Sequence, residues 1–170
     1  LIGWGGSPDQ SIVATLCGYA GVLHMLRLSR WAGWYVRSEP MLWVLHLGYL
    51  FVPLGFLATF LAGIGGHFIP IIGAQHLWMA GAIGVMALAI MSRASLAHAG
   101  RKPVAGYAIT ISYCLVLASV VLRFIAAFGV STGNVMYASA LFWITGFLVY
   151  TVAYFPVMAK RAPKTATRIR

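Results

Sequence analysis

Five long apolar stretches alternate along the chain with short segments that carry almost all of its charge. The stretches cover about residues 11–26, 41–64, 71–92, 104–127 and 133–158. A helix of about 20 apolar residues crosses the roughly 30 Å hydrocarbon core of a bilayer, and each stretch reaches or approaches that length. The pattern therefore predicts an all-α membrane protein, a bundle of about five transmembrane helices, with residues 1–170 as one domain in contact with lipid.

Prolines stand where four of these stretches begin, at Pro8, Pro40, Pro70 and Pro103. Proline is tolerated in the first turn of a helix, because its missing N–H would have no partner there in any case. These four residues therefore predict helix starts. Pro53 lies inside the second stretch instead, where it is expected to bend the helix.

Composition agrees with a lipid environment, since 61% of the residues are hydrophobic and only 8% are charged. A soluble domain could not cover that much apolar surface. The chain has 12 Lys and Arg but only 2 Asp and Glu, a balance also found in nucleic-acid-binding proteins. The basic residues form no helical stripe and no nucleic-acid motif, so we expect no nucleic-acid partner.

The distribution of these cations predicts an orientation in the membrane. They cluster after the first stretch, after the third stretch and in the C-terminal tail: Arg27, Arg30, Arg37, Arg93, Arg101, Lys102, Lys160, Arg161, Lys164, Arg168 and Arg170. Loops rich in Lys and Arg stay in the cytoplasm. The N-terminus is therefore expected outside and the C-terminus in the cytoplasm, which agrees with an odd number of spans.

Candidate chemistry is narrow because the chain has so few acids. Asp9 and Glu39 are predicted on opposite sides of the membrane, which rules out a carboxylate pair for acid–base catalysis. No Cys-x-x-Cys or His-Glu-x-x-His motif occurs, and no residue pattern indicates catalytic turnover. The remaining candidate group is the histidine imidazole, which in its neutral form is a ligand for haem iron and for copper.

The expected depths of the histidines separate them into two layers. His24 and His46 are predicted in one layer near the cytoplasmic side, where His98 follows the third stretch, whereas His76 is predicted near the outside. At about 1.5 Å rise per residue, His46 and His76 should lie roughly 20 Å apart along the membrane normal. One haem iron could not bind both, so two metal-bound histidines would require two centres completed by other ligands.

On the third stretch, His76, Met79 and Met86 fall within a narrow helical sector. An imidazole with a thioether suits Cu(I), while the alternative is that these methionines are adaptable packing residues. Arg123 is expected near His76, where it could meet a haem propionate. The alternative is an arginine that extends to the outer headgroups.

The two inner histidines leave alternatives as well. His46 shares one helical face with Trp43, Tyr49 and Pro53, so it is either a ligand or a hydrogen-bonded residue on a packing face. His24 is either a ligand or an interface residue beside Arg27.

Two segments of the chain resemble motifs of the NnrS family. One reads LWVLHLGY at residues 42–49 and continues to PLG at 53–55. The other reads QHLWMAGAIGVM at residues 75–86 and continues through MSRASLAHAGR at 91–101. The resemblance covers roughly residues 35–160.

The resemblance implies a multi-pass protein of the bacterial inner membrane that contains haem, expected as haem b, and copper. It also implies a link to nitric oxide metabolism and to relief of nitrosative stress. His46, His76 and His98 stand at the family's characteristic histidines, and the resemblance does not assign a metal to each.

The family's chains are longer, and their N-terminal half carries a His-Glu-Met type motif that this sequence lacks. The sequence therefore resembles the C-terminal half, and the missing half is an expected partner. The alternative function is a cofactor-free structural or accessory subunit of a larger membrane complex, packed through its small residues. A transporter is disfavoured by the scarcity of acids and of paired broken helices.

Overall fold

The computed structural model describes residues 8–31, 39–64, 69–129 and 132–159. The helices are α1 (Pro8–Ser29), α2 (Pro40–Gly63), α3 (Ile71–His98), α4 (Tyr107–Ala126) and α5 (Thr132–Ala159). All five are long and apolar enough to cross a membrane. The structure thus confirms the predicted all-α membrane bundle of five helices. Arg37 and the cations of the C-terminal tail, which the orientation argument used, lie outside the described residues.

The prolines mark helix starts at three of the four predicted positions. Helices α1 and α2 begin at Pro8 and Pro40, and Pro70 is the residue that caps α3. Pro103 is the exception, because the chain stays extended up to Gly106. The Gly106 carbonyl then accepts the first backbone bonds of α4, so this glycine, and not the proline, sets the start of the helix.

Helix α3 continues beyond the apolar stretch that predicts it and ends at a glycine cap. Gly100 adopts a left-handed conformation with φ of 65°. The Gly100 N–H donates to the Ala97 carbonyl at 3.0 Å, and the Arg101 N–H donates to the Leu96 carbonyl at 2.9 Å. This pair of bonds is the Schellman motif, which satisfies carbonyls that the helix end leaves free.

The middle of α3 is a π-helix over Leu77–Val85, between α-helical turns on either side. Its i→i+5 bonds widen the turn and change which side chains share a face. Glycines in this region admit large rings: a Cβ at Gly55 would overlap the Trp78 indole, and one at Gly84 would overlap Trp143. The widened turn therefore lies where α3 packs along α2, and where the Trp143 ring of α5 reaches Gly84.

The helices pack in an uneven bundle. Helix α1 packs mainly against α2, α2 packs along α3, and α4 and α5 form the most extensive pair. The main core lies between α2, α3, α4 and α5 and includes Met41, Val44, Val85, Leu88, Tyr113, Val116 and Val120. One end of the bundle, called the basic end below, holds the C-terminal ends of α1 and α3 with Arg27, Arg30, Arg93, Arg101 and Lys102.

Candidate functional site

His46 lies in the second turn of α2, near the basic end, and its ring is held by its own helix. Its Nδ1 is 2.8 Å from the Leu42 carbonyl oxygen. A carbonyl can only accept, so Nδ1 carries the proton and donates it. In the neutral tautomer with this proton, the lone pair is on Nε2, which is the nitrogen that a metal would bind.

An aromatic layer from α1 and α2 surrounds this imidazole. The Trp31 ring meets the His46 ring edge-on, with centroids 5.7 Å apart and planes at 88°. Trp31 also packs on Tyr49 at 4.6 Å. The Arg27 guanidinium carbon lies 5.9 Å from the Trp31 centroid and 6.0 Å from the Tyr49 centroid, a cation–π arrangement.

His24 reaches the same layer from α1. Its Nδ1 is 2.7 Å from the Tyr49 hydroxyl, and its ring stacks on Phe56 with centroids 5.6 Å apart and planes at 6°. The structure therefore brings His24 and His46 to one region, where Trp31 packs on His46, Tyr49 bonds His24, and the two aromatic rings pack on each other. The sequence predicted a shared layer for the two histidines, but not the tyrosine and tryptophan that connect them.

His76 lies at the opposite end of the bundle and makes a different bond. The Arg123 Nε donates to His76 Nε2 at 3.2 Å. Because a guanidinium is always protonated and has no acceptor, His76 must present a lone pair at Nε2 and carry its proton on Nδ1. Arg123 thus contacts the imidazole itself and takes the nitrogen that would face a metal.

The remaining candidates lie apart from both imidazole regions. Met79 is 64% exposed on the outer surface of α3, whereas Met86 is half-buried against Gly48. The π-helix between His76 and Met86 is the physical reason, because it breaks the helical period that placed the three residues in one sector. His98, the last residue of α3, is exposed at the basic end.

The ligand supply sets the kind of centre that this chain can hold. In the part of the chain that the structure describes, no three side chains of His, Cys, Asp or Glu lie close enough to form a metal site. A centre built wholly from such residues is therefore unsupported there. Haem needs only one or two axial side chains, since the porphyrin supplies the other ligands.

Sequence comparison adds a family to this geometry. The model of the family described as NnrS protein matches residues 3–161, nearly the whole chain. No curated protein matches the sequence, and no solved structure matches it.

Proposed function

Because this chain belongs to the NnrS family, we propose that it is a haem-binding membrane protein of the nitric oxide response. The family supports an association with that response, and five apolar helices support a multi-pass membrane protein. We further propose the bacterial inner membrane as its location, with the N-terminus outside and the C-terminus in the cytoplasm.

The bond from His46 Nδ1 to the Leu42 carbonyl carries the haem proposal. Metal-binding histidines commonly donate their second ring N–H to a carbonyl or carboxylate, which fixes the tautomer and the ring orientation. His46 shows this arrangement. Its Nδ1–H donates to the Leu42 carbonyl, and its helix makes no use of the Nε2 lone pair. We therefore assign His46 as the axial ligand.

The surroundings of His46 fit a porphyrin. Trp31 and Tyr49 give apolar ring faces beside the imidazole, and Arg27 adds a cation suited to a carboxylate group. His24 is the second imidazole within this layer and the candidate for an additional contact. When bound, haem would supply an iron that exchanges electrons and binds diatomic gases.

The same criterion favours His46 over His76, another histidine of the family motifs. His76 Nε2 accepts from Arg123, so a metal there would have to displace a hydrogen bond from a charged donor. Met79, its expected thioether partner, is turned outward. A copper centre at His76 therefore requires a rearrangement that haem binding at His46 does not.

The experiment is reconstitution of the purified chain with haem in detergent, followed by absorption spectroscopy. Wild type is expected to show a Soret band shifted from that of free haem, and His46→Ala is expected to lose it. His98→Ala is the matched control, because it removes an exposed imidazole at the same end of the bundle. Added imidazole should partly restore the band in His46→Ala, since a free ligand can occupy the same position.

Two results would oppose the proposal. A Soret band that survives in His46→Ala would place the iron elsewhere. A folded wild-type chain that never takes up haem would favour the cofactor-free subunit.

A further inference from the structure

A groove runs along the outer side of the contact between α1 and α2. It has a volume of about 480 Å³, which lies within the roughly 300–1,000 Å³ of ligand sites. Its walls include Tyr19 and Leu23 of α1 and Leu57 and Phe60 of α2. Tyr19 and Leu23 are 68% and 66% exposed, so the groove is open on its outer side in the described part of the chain.

Glycines of α1 bring the two helices together at the floor of the groove. A Cβ at Gly18 would lie 3.0 Å from the Phe60 ring, and a Cβ at Gly21 would lie 2.8 Å from the Leu57 side chain. Small residues on one face let helices in a membrane approach closely. Gly18 also lines the groove, and its missing side chain leaves the space that larger neighbours enclose.

The length of the groove matches one leaflet of a bilayer. Its lining runs along α1 from Thr15 to Leu23, which is about 12 Å at about 1.5 Å per residue. One leaflet contributes roughly 15 Å to the hydrocarbon core. The Thr15 hydroxyl donates to the Ser11 carbonyl at 2.8 Å, so α1 itself satisfies this polar group. An acyl chain can therefore lie along the groove without leaving that hydroxyl unpaired.

A basic hollow continues the groove toward the basic end, and Leu23 lines both. The hollow has a volume of about 410 Å³, and its other lining residues are Leu26, Arg27, Arg30 and Trp31. The two arginines lie about 6–10 Å beyond Leu23 along the helix. That step carries the site from the hydrocarbon core to the headgroup level, where tryptophan is also enriched.

The two arginines of the hollow face different groups. The Arg27 guanidinium lies over the Trp31 and Tyr49 rings, in the aromatic layer of the candidate site. Arg30 stands 11 residues after Tyr19, about three helical turns, so both lie on one face of α1. Arg30 is exposed and is therefore the cation that continues the face of the groove.

We propose that the groove and the hollow bind one anionic phospholipid, with an acyl chain along α1 and the phosphate on Arg30. Cations near the membrane surface attract anionic headgroups, and a guanidinium can donate two N–H groups to one phosphate. The chain has only two acids, and Asp9 lies at the far end of α1, which leaves Glu39 as the one acid near this site. The proposal does not depend on haem, because neither the groove nor Arg30 contains the proposed axial ligand.

Native mass spectrometry tests the headgroup contact. The chain is released from nanodiscs that contain phosphatidylcholine and phosphatidylglycerol in equal amounts. Wild type is expected to retain one phosphatidylglycerol, and Arg30→Gln should retain about fivefold less, the effect of one cation near anionic headgroups. Arg101→Gln is the matched control, because this exposed cation of the basic end lines neither the groove nor the hollow.

Two results would overturn the headgroup contact. An equal loss in Arg30→Gln and Arg101→Gln would show a general attraction to the basic end. Retention of phosphatidylcholine as strongly as phosphatidylglycerol would show that the site does not select an anion.

A second pair of variants tests the groove with the same measurement. Val22→Trp should fill the groove and abolish retention of the lipid. Val13→Trp makes the same change at an exposed position of α1 that does not line the groove, so it should retain the lipid. Lipid retained by both variants would overturn the proposal. So would a wild-type dimer that holds no lipid and dissociates in Val22→Trp, because a second copy of the chain would then occupy the groove.

Discussion

His46 and His76 are partly buried imidazoles on adjacent helices, and their ring nitrogens have different partners. His46 donates from Nδ1 to a backbone carbonyl of its own helix, and that bond leaves Nε2 unused. His76 accepts at Nε2 from Arg123 of a neighbouring helix. Both rings carry a proton on Nδ1; among the residues that the structure describes, only His76 has a side chain, Arg123, bonded to its Nε2.

The difference shows that burial and motif position do not decide how a histidine is hydrogen-bonded. The bond of His46 spans five residues of one helix, so it forms wherever that helix forms. The bond of His76 depends on tertiary packing, because α3 and α4 must meet before Arg123 reaches the ring. One imidazole is therefore oriented by its own helix, while the other accepts a hydrogen bond from a charged side chain inside the bundle.

The largest expected effect comes from removing His76, the uncharged partner in the hydrogen bond between α3 and α4. His76→Leu leaves the Arg123 guanidinium without its partner in a partly buried position. A hydrogen bond to a charged group contributes about 1.5–3 kcal/mol. For a chain of this size we expect the Tm to fall by roughly 3–12 °C in detergent, at about 2–4 °C per kcal/mol.

Two variants sharpen that result. The double variant His76→Leu/Arg123→Leu should recover most of the loss, because it removes the charge that was left unpaired. His46→Leu should lower the Tm less than His76→Leu, since the Leu42 carbonyl keeps its place in the helix. Equal losses in His46→Leu and His76→Leu would show that the two bonds do not differ in the way proposed.

A smaller effect is expected when only the donor is removed. In Arg123→Leu the His76 ring keeps its position but loses the group that caps Nε2. Diethyl pyrocarbonate acylates unprotonated imidazole nitrogens, so its rate reports whether Nε2 is free. Losing a competing bond of about 1.5–3 kcal/mol should raise the rate at His76 by roughly ten- to a hundredfold, as measured by peptide mass spectrometry.

His98 and His46 provide the references within the same sample. His98 is exposed, and its rate should not change in Arg123→Leu. The rate at His46 should also stay constant, since its bond lies on another helix. An unchanged rate at His76 would mean that Arg123 does not protect it.

Much of the fold was accessible from the sequence because lipid imposes a simple rule. Every spanning segment must be apolar and must pair its backbone N–H and C=O groups internally, as a helix does. The length of an uncharged apolar run in the sequence therefore predicts a spanning helix. Pro103 shows where this reasoning fails, since the bonds to the Gly106 carbonyl start α4 later. The π-helix of α3 was equally unpredictable, because it depends on packing between helices: its Trp78 packs on Gly55 of α2, and Trp143 of α5 packs on its Gly84.

The sequence predicted which residues of the candidate site lie near one another, but not the hydrogen bonds between them. Spacing placed His24 with His46, and Arg123 near His76, on rise per residue alone. It could not show that Arg123 bonds the imidazole or that Tyr49 reaches His24, because both contacts depend on how two helices rotate against each other.

The smallest effect is expected at the hydrogen bond between His24 and Tyr49 near the basic end. Tyr49→Phe keeps the ring that packs on Trp31 and removes the hydroxyl that lies 2.7 Å from His24 Nδ1. This neutral bond is worth about 0.5–1 kcal/mol, so the Tm should fall by only about 1–4 °C. Tyr19→Phe is the matched control, because this α1 tyrosine is 68% exposed. The diethyl pyrocarbonate rate should rise at His24 and stay constant at His46, whose bond to Leu42 is local. If His46 also becomes more reactive, Tyr49 holds both rings in place, and the bond to Leu42 alone does not orient His46.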